Sequence, residues 1–325
     1  MKKRATRIFL YAIGFLILIV ALLLSYVKAM LPNVGNAPEM TVERTPERLE
    51  RGRYLANHVM VCMDCHSERE YSLFTAPMVP NTEGMGGEVF DQNMGFPGRY
   101  VSPNITPAKL ENWTDGEIFR AITAGVSKDG RALFPVMPHP YYGQLDEEDI
   151  KAVIVYLRSL KRIEHETEAS MSDFPMNFIL NTIPKKPSLT KIPPKTDRVS
   201  YGKYLITAAA CNDCHTRQEK GQFIGDAFAG GMEFKFPDGS VLRSANITPH
   251  ESGIGLWSEE QFIQRFKAYS RSTYTPHQIA PGEFQTIMRW TFYAEMETED
   301  LQAIYAYLKT LKPAANNVVL FSPAN

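Results

Sequence analysis

The four cysteines of this 325-residue chain constrain its fold more than any other feature. They form two pairs of identical spacing, and a histidine directly follows each pair, in Cys62-Met63-Asp64-Cys65-His66 and Cys211-Asn212-Asp213-Cys214-His215. In an exported chain, paired cysteines usually form disulfides, but a disulfide does not require the histidine. A zinc site needs further ligands at its own spacing, and a thioredoxin-like pair needs neither the histidine nor a duplicate.

Cys-x-x-Cys-His is the attachment motif of c-type haem. Cysteines three residues apart on a helical turn project from the same side, so both can form thioethers with one porphyrin, while the adjacent histidine reaches the iron. The sequence therefore predicts two covalently attached haem c groups. Their attachment residues are Cys62, Cys65, Cys211 and Cys214, and their proximal iron ligands are His66 and His215.

The chain after residue 46 contains two copies of one plan, which is the signature of a repeat. A Gly-x-Tyr-Leu segment precedes each cysteine motif, at Gly52 and at Gly202. An Asn-Ile-Thr-Pro segment follows each motif, and then a tryptophan, Trp113 or Trp257.

Each copy also carries helix signals in its second part. Thr114 and Ser258 begin capping-box patterns, which predict helix N-termini. Apolar residues at i, i+3, i+4 and i+7 from Ile150 and from Leu301 then predict a one-faced terminal helix in each copy.

The copies divide the chain into segments, and they predict a mainly α fold with two tandem domains and long loops. No run of alternating apolar residues is long enough to predict a large sheet. The expected segments are an anchor (1–28), a linker (29–46), domain 1 (47–163), a proline-rich linker (164–198), domain 2 (199–313) and a tail (314–325). Within the proline-rich linker, the stretch 174–183 is too apolar for a free tether and is expected to pack along one domain.

The repeat also selects the sixth iron ligand from 14 methionines. Met137 stands 71 residues after His66, and Met288 stands 73 residues after His215, each shortly before its terminal helix. Methionine opposite histidine is an established c-type ligand pair. The sequence therefore predicts Met137 and Met288 as axial ligands.

Other residues compete for this role or for contact with the haem. His139, His250 and His277 are alternative ligands without counterparts in the other copy, as are the methionines Met78, Met85, Met94 and Met232. Arg99 and Arg243 precede the Asn-Ile-Thr segments and either pair with haem propionates or are exposed. Trp113 and Trp257 are expected to wall the two haem pockets.

Residues 8–27 are uncharged and long enough to cross a membrane as one helix, since about 20 residues at about 1.5 Å each span a hydrocarbon core of about 30 Å. The alternative is a cleaved signal peptide, whose apolar region is usually shorter. Lys2, Lys3, Arg4 and Arg7 precede the span and only Lys28 closely follows it. The positive-inside rule then keeps the N-terminus in the cytoplasm and places the rest on the periplasmic side of a bacterial inner membrane.

The net charge of the part after the anchor argues against nucleic acid as a partner. Five of the 35 basic residues belong to residues 1–28, so the remainder has 30 basic and 36 acidic residues, a net charge of −6. Phosphate binding needs clustered positive charge.

The motifs together resemble a known family. Gly-x-Tyr-Leu before Cys-x-x-Cys-His, Asn-Ile-Thr-Pro, the tryptophan segment and the closing Tyr-Leu-Arg/Lys-Ser/Thr-Leu-Lys are similar to the cytochrome c subunits of periplasmic alcohol and related dehydrogenases, over about residues 47–162 and 197–313. This resemblance implies class I cytochrome c folds. It also implies electron transfer from a dehydrogenase or quinol oxidiser to a cytochrome oxidase or soluble cytochrome.

The chain departs from that family in two respects. The family's subunits typically carry three haems, whereas this chain has two attachment motifs. The residue after Met288 is Arg289, where the family pattern and the first copy (Pro138) have proline.

The leading functional hypothesis is a membrane-anchored dihaem electron carrier or electron-transfer subunit. A dihaem peroxidase is the first alternative and would need one iron open to peroxide. A haem-based sensor is the second and would need ligand exchange at one iron. No dinucleotide-binding motif or nucleophile elbow indicates oxidation of an organic substrate by the chain itself.

Replacing Cys62 and Cys65 together, or Cys211 and Cys214 together, by alanine should remove one haem per chain, because each pair holds its own porphyrin. Pyridine haemochrome analysis counts covalent haem directly. Retention of both haems in either double variant would contradict the assignment.

Overall fold

The computed structural model describes residues 2–280 and 282–324. It begins with one long helix, α1 (Lys2–Met30). Within Lys3–Met30, an 18-residue window has a mean hydropathy of 2.9 and is not buried by the rest of the chain. This helix has the length and composition of the predicted single-pass membrane anchor.

The first copy forms a unit that we call the first half, residues 46–172. It starts with a helix that widens into a π-helical turn (Leu55–Val59) before the cysteine motif. The elements are α2 (Pro46–Tyr54), α3 (Cys62–Cys65), β1 (Val89–Phe90), β2 (Gly98–Val101), α4 (Pro107–Leu110), α5 (Asp115–Ala124), α6 (His139–Tyr142), α7 (Glu147–Ser159) and β3 (Met171–Ser172).

A connection with a short helix, α8 (Met176–Ile179), and a 3₁₀ turn (Leu180–Thr182) leads to the second half, residues 198–322. Its elements are α9 (Arg198–Ala208), α10 (Cys211–His215), β4 (Gln218–Glu219), β5 (Gln222–Phe223), β6 (Glu233–Lys235), β7 (Val241–Arg243), α11 (Glu259–Lys267), α12 (Trp290–Tyr293), α13 (Thr298–Leu308) and β8 (Phe321–Ser322). The mainly helical character agrees with the sequence expectation, and the strands are only two to four residues long.

Both predicted capping boxes form. Thr114 Oγ1 accepts a hydrogen bond from the Glu117 amide, and the Glu117 carboxylate accepts one from the Thr114 amide. Ser258 and Gln261 exchange the same two bonds at the start of α11. Each box satisfies backbone donors that the helix itself leaves unpaired, so these two helix starts are confirmed.

Each half extends beyond the end that the sequence predicted. In the first half, β3 pairs with β2 to complete a three-stranded sheet, β1-β2-β3. In the second half, β8 pairs with β7 in the sheet β6-β7-β8. Residues 164–172 and 314–322, expected as linker and tail, therefore contribute an edge strand to each half. The strands are too short for the alternation that identifies a strand in a sequence.

A glycine at the same position of each copy fixes the central helix packing. A Cβ atom on Gly52 of α2 would lie 1.9 Å from the carbonyl oxygen of Ala152 in α7. A Cβ atom on Gly202 of α9 would lie 1.9 Å from the carbonyl oxygen of Ala303 in α13. Real atoms cannot approach that closely, so the two backbones touch only because these residues are glycine.

Two tyrosines, also at equivalent positions, link the halves by reciprocal hydrogen bonds. Tyr54 in the first half donates to Asp300 Oδ2 at 2.7 Å, and Tyr204 in the second half donates to Asp149 Oδ2 at 2.7 Å. Each phenol oxygen also accepts a backbone N–H at the start of the other half's terminal helix, from Glu297 at 3.0 Å and from Asp146 at 3.1 Å. The two halves therefore contact each other through the same elements in both directions, as pseudo-twofold partners do.

The proline-rich connection is hydrogen-bonded to the first half. The Asp173 amide donates to the Pro97 carbonyl, and the amides of Ser188 and Thr190 donate to the carbonyls of Gly143 and Leu145. These hydrogen bonds hold the residues on either side of 174–183. Packing of that stretch along one domain stays a prediction, since Phe174 and Ile179 within it are exposed.

Substitution of Gly202 by alanine should lower the free energy of unfolding by about 1–3 kcal/mol, because the added methyl forces α9 and α13 apart. Lys203→Ala is the matched control, since Lys203 is exposed on the same helix. Denaturant unfolding in detergent, followed by circular dichroism, compares the two variants. Equal midpoints would show that the helices do not cross at Gly202.

Candidate haem sites

The cysteine motifs lie on single helical turns that begin after a left-handed residue. Val61 has a φ of +47° and Ala210 a φ of +50°, each directly before the first cysteine of its motif. This conformation is costly for residues with a side chain, above all for a β-branched one. Its presence at both equivalent positions indicates that the sharp turn into the motif is required by the fold.

The thiols of all four cysteines are free and only partly accessible. Burial raises the pKa of Cys62 and of Cys211 to about 12, with a smaller contribution in the same direction from the second cysteine of each pair. Burial also raises the pKa of Cys65 to about 11. Among residues 2–280 and 282–324, no group of three or more His, Cys, Asp or Glu side chains could hold a metal ion. The pairs therefore fit thioether attachment better than a zinc cluster.

Both proximal histidines are oriented by the same backbone contact. The Nδ1 atom of His66 lies 2.8 Å from the carbonyl oxygen of Pro103, and Nδ1 of His215 lies 2.8 Å from the carbonyl oxygen of Ala245. A carbonyl can only accept, so Nδ1 carries the proton and Nε2 keeps its lone pair. Burial lowers the pKa of both histidines, opposed by that hydrogen bond. A neutral imidazole with a free Nε2 is the form that ligates iron, so these residues fit a haem.

The Asn-Ile-Thr segments hold these carbonyls in place. Asn104 is buried, its Oδ1 accepts from the amide and hydroxyl of Thr106, and its Nδ2 donates to the Ile163 carbonyl. Asn246 makes the same bonds with Thr248 and with the carbonyl of Ala314. The Asn-Ile-Thr segments therefore have a structural role, because their hydrogen bonds fix the loop that carries each carbonyl.

The two methionine loops have the same backbone geometry. The amide two residues after the methionine donates to the methionine carbonyl at 2.7 Å in both loops, from His139 to Met137 and from Trp290 to Met288. The intervening residue has φ −77° and ψ 48° at Pro138, and φ −77° and ψ 51° at Arg289. Arginine thus adopts the conformation that proline imposes. Both methionines are partly buried against the apolar core.

The histidines that competed with the methionines make other contacts. The His277 ring stacks on Phe74 of the first half, with centroids 5.1 Å apart. The Nδ1 atom of His250 lies 2.9 Å from Ser252 Oγ. His139 is buried and packs against Gly125, and burial lowers its pKa to about 4, opposed by a hydrogen bond to the Leu133 backbone. Trp290 occupies the equivalent position in the second half.

The arginines and tryptophans considered for haem contact lie at equivalent places in the two halves. Arg99 in β2 pairs with Glu168 at 3.0 Å, and Arg243 in β7 pairs with Glu233 at 2.9 Å. Trp113 is partly buried against the core, whereas Trp257 is 36% exposed. Propionate binding by the arginines and pocket walls formed by the tryptophans stay predictions.

A contact missed by the sequence reasoning joins each cysteine motif to the methionine loop of the other half. Arg289 Nε donates to Asp64 Oδ2 at 2.5 Å, and Asp64 also pairs with the buried Arg69 at 3.1 Å. In the opposite direction, Tyr141 Oη donates to Asp213 Oδ1 at 2.6 Å. Asp64 and Asp213 occupy the same place in their motifs. The aspartate that recurs at this place in both motifs was the sequence signal from which this contact could have been predicted.

The chain is similar to known cytochrome proteins. Residues 199–312 match the cytochrome c family. The chain is 27% identical over 287 residues to the fructose dehydrogenase cytochrome subunit of Gluconobacter japonicus, which covers 83% of this chain and 54% of that protein. It is 26% identical over 300 residues to the cytochrome c subunit of a quinone-dependent alcohol dehydrogenase of Gluconacetobacter polyoxogenes, covering 86% and 59%.

A further relative has nearly the length of this chain. The diheme cytochrome c-type protein of Cereibacter sphaeroides is 27% identical over 264 residues, which is 76% of this chain and 81% of the relative. The chain spans little more than half the length of the two dehydrogenase subunits. Residues 199–312 thus form a haem-binding cytochrome c domain, and the chain is similar along most of its length to the electron-transferring cytochrome subunits of dehydrogenases.

Proposed function

We propose that the chain is a membrane-anchored dihaem electron-transfer protein with two tandem class I cytochrome c domains. One haem c is attached to Cys62 and Cys65 and ligated by His66 and Met137. The other is attached to Cys211 and Cys214 and ligated by His215 and Met288. The single observation that carries this proposal is the identical Nδ1-to-carbonyl contact, 2.8 Å long, of the two motif histidines.

Bound haem supplies a one-electron iron couple, and the protein's residues determine its accessibility and potential. His66 with Met137, and His215 with Met288, would hold the two irons and would leave no position for a substrate. Methionine opposite histidine raises the reduction potential by favouring ferrous iron. Equivalent methionine loops in the two halves support this ligation at both irons.

The contacts between the halves support electron transfer from one haem to the other. Arg289 follows the proposed ligand Met288 and reaches Asp64, which lies between Cys62 and Cys65. Its guanidinium also lies 3.9 Å from Cys65 Sγ. The attachment motif of the first haem and the ligand loop of the second are thus in direct contact.

The anchor and the relatives suggest the setting of this reaction. We place the haem domains on the periplasmic side of a bacterial inner membrane, because the basic residues cluster at the N-terminal end of α1, before its apolar span. A dehydrogenase or a quinol-oxidising complex is the proposed donor, since the relatives are named as dehydrogenase cytochrome subunits. A cytochrome oxidase or soluble cytochrome is the proposed acceptor.

Carbon monoxide tests the function through Met288. The unaltered ferrous protein should not bind carbon monoxide rapidly at either iron, whereas Met288→Ala should keep both haems, bind it at one, and have a lower potential at that haem. Met232→Ala is the control, because Met232 has no counterpart in the first half and its amide donates to Ser244 Oγ beside the strands β6 and β7. Absorption spectra and redox titration give these readouts.

Two results would contradict this scheme. Rapid carbon monoxide binding by the unaltered protein would favour the peroxidase or sensor. An unchanged methionine-to-iron charge-transfer band in Met288→Ala, with the change appearing instead in Met232→Ala or His277→Ala, would move the ligand to that residue.

Arg289→Pro separates the charge of Arg289 from its backbone conformation. Proline fits the φ of −77° at this position, so methionine ligation of the second haem should persist. Asp64 loses one of its two cationic partners, and its negative charge should stabilise ferric iron and lower the potential of the first haem. Redox titration resolves the two haems, and Arg243→Gln is a control for loss of a charge remote from Asp64. An unchanged first potential would contradict the electrostatic link.

A further inference from the structure

The connection between the halves exposes large apolar side chains in a small area. We call Met171, Phe174, Phe178 and Ile179 the linker patch. Met171 is 70% exposed, Phe174 78% and Ile179 44%. The rings of Phe174 and Phe178 meet edge to face with centroids 6.4 Å apart. A cluster of this kind usually marks an interaction surface.

The linker patch adjoins the end of α1. Lys28 Nζ lies 5.3 Å from the centroid of the Phe178 ring, and α1 contacts both α8 and the following 3₁₀ turn. Residues Lys3–Met30 form a helix about 42 Å long at about 1.5 Å per residue. A bilayer with its headgroup regions is about 40–45 Å thick. The last turn of α1, and the patch beside it, therefore lie at the level of the lipid headgroups.

The charges around the linker patch are mostly compatible with a lipid surface. Asp173 is the one charged residue in the stretch 171–184, and its carboxylate accepts a hydrogen bond from Gln92. The next two residues, Lys185 and Lys186, are both exposed. An apolar segment with aromatic side chains partitions into the boundary between headgroups and acyl chains. Lysines at the same surface are attracted to anionic lipids.

We propose that the linker patch inserts into the membrane surface beside α1 and forms a second attachment of the haem-bearing body to the bilayer. Lipid is the occupant because the patch is continuous with a helix that is itself lipid-facing along its length. The first half, to which the connection is hydrogen-bonded on both sides of α8, is thereby held against the membrane in a fixed orientation. This inference rests on the proposed anchoring of α1.

Site-directed spin labelling of the full haem-loaded chain tests the insertion. The four native cysteines are bound to haem, so an introduced cysteine is the only reactive thiol. Phe174→Cys probes the patch, Leu16→Cys probes the middle of α1, and Leu256→Cys is the matched control, since Leu256 is 81% exposed in the second half. Each labelled protein is reconstituted into vesicles of phosphatidylcholine and phosphatidylglycerol. Power saturation then compares accessibility to oxygen, which concentrates in lipid, with accessibility to a water-soluble nickel chelate.

The expected ratio of oxygen to nickel accessibility is highest at position 16, intermediate at 174, and several-fold lower at 256 than at 174. A ratio at 174 equal to that at 256, with position 16 still in lipid, would overturn the inference and leave the anchor intact. A water-like ratio at position 16 would instead overturn the anchor. Dipolar broadening between labels at 174 would show that a second copy covers the patch, which also refutes the lipid contact.

Discussion

The close crossing of the first and last helices of each half is the constraint on which both proposed haem sites depend. The cysteine motif follows α2 or α9 within a few residues. The methionine loop precedes α7 or α13, with one short helix, α6 or α12, between them. When glycine lets the two backbones touch at Gly52 and Gly202, the two ends of the repeat meet. We expect this crossing to bring each motif histidine near the methionine that follows it by more than 70 positions. Hydrogen bonds within the Asn-Ile-Thr segments then hold in place the backbone carbonyls that orient the motif histidines.

Charge and hydrogen bonding between the halves are arranged around the same elements. The buried aspartates at the start of α7 and α13 accept from a tyrosine of the opposite half, and burial together with the neighbouring carboxylate raises the pKa of Tyr54 and Tyr204, so both phenols remain donors. The aspartates within the cysteine motifs accept from Tyr141 and Arg289. A buried carboxylate without such partners would cost several kcal/mol. The reciprocal contacts therefore specify how the halves associate, and they do so next to both attachment motifs.

The departure from proline at Arg289 illustrates how one position serves two requirements. The loop needs a residue with a φ near −77°, which proline fixes and arginine can adopt. Of these two residues, only arginine has a side chain that can reach Asp64 in the other half. The substitution preserves the ligand loop and adds an ion pair between the haem sites. Such asymmetry gives the two halves different electrostatic surroundings on one shared backbone plan.

Sequence alone determined the features that depend on local chemistry and periodicity. The cysteine motifs, the capping boxes, the terminal helices, the apolar anchor and the position of the methionines all follow from spacing along the chain. The edge strands β3 and β8 did not, because two-residue strands have no recognisable period. The pairing of Arg289 with Asp64, of Tyr54 with Asp300, and of Lys28 with Phe178 was decided only by tertiary structure. Those contacts join residues from about 150 to nearly 250 positions apart, and no local pattern encodes which distant surfaces meet when two similar halves pack together.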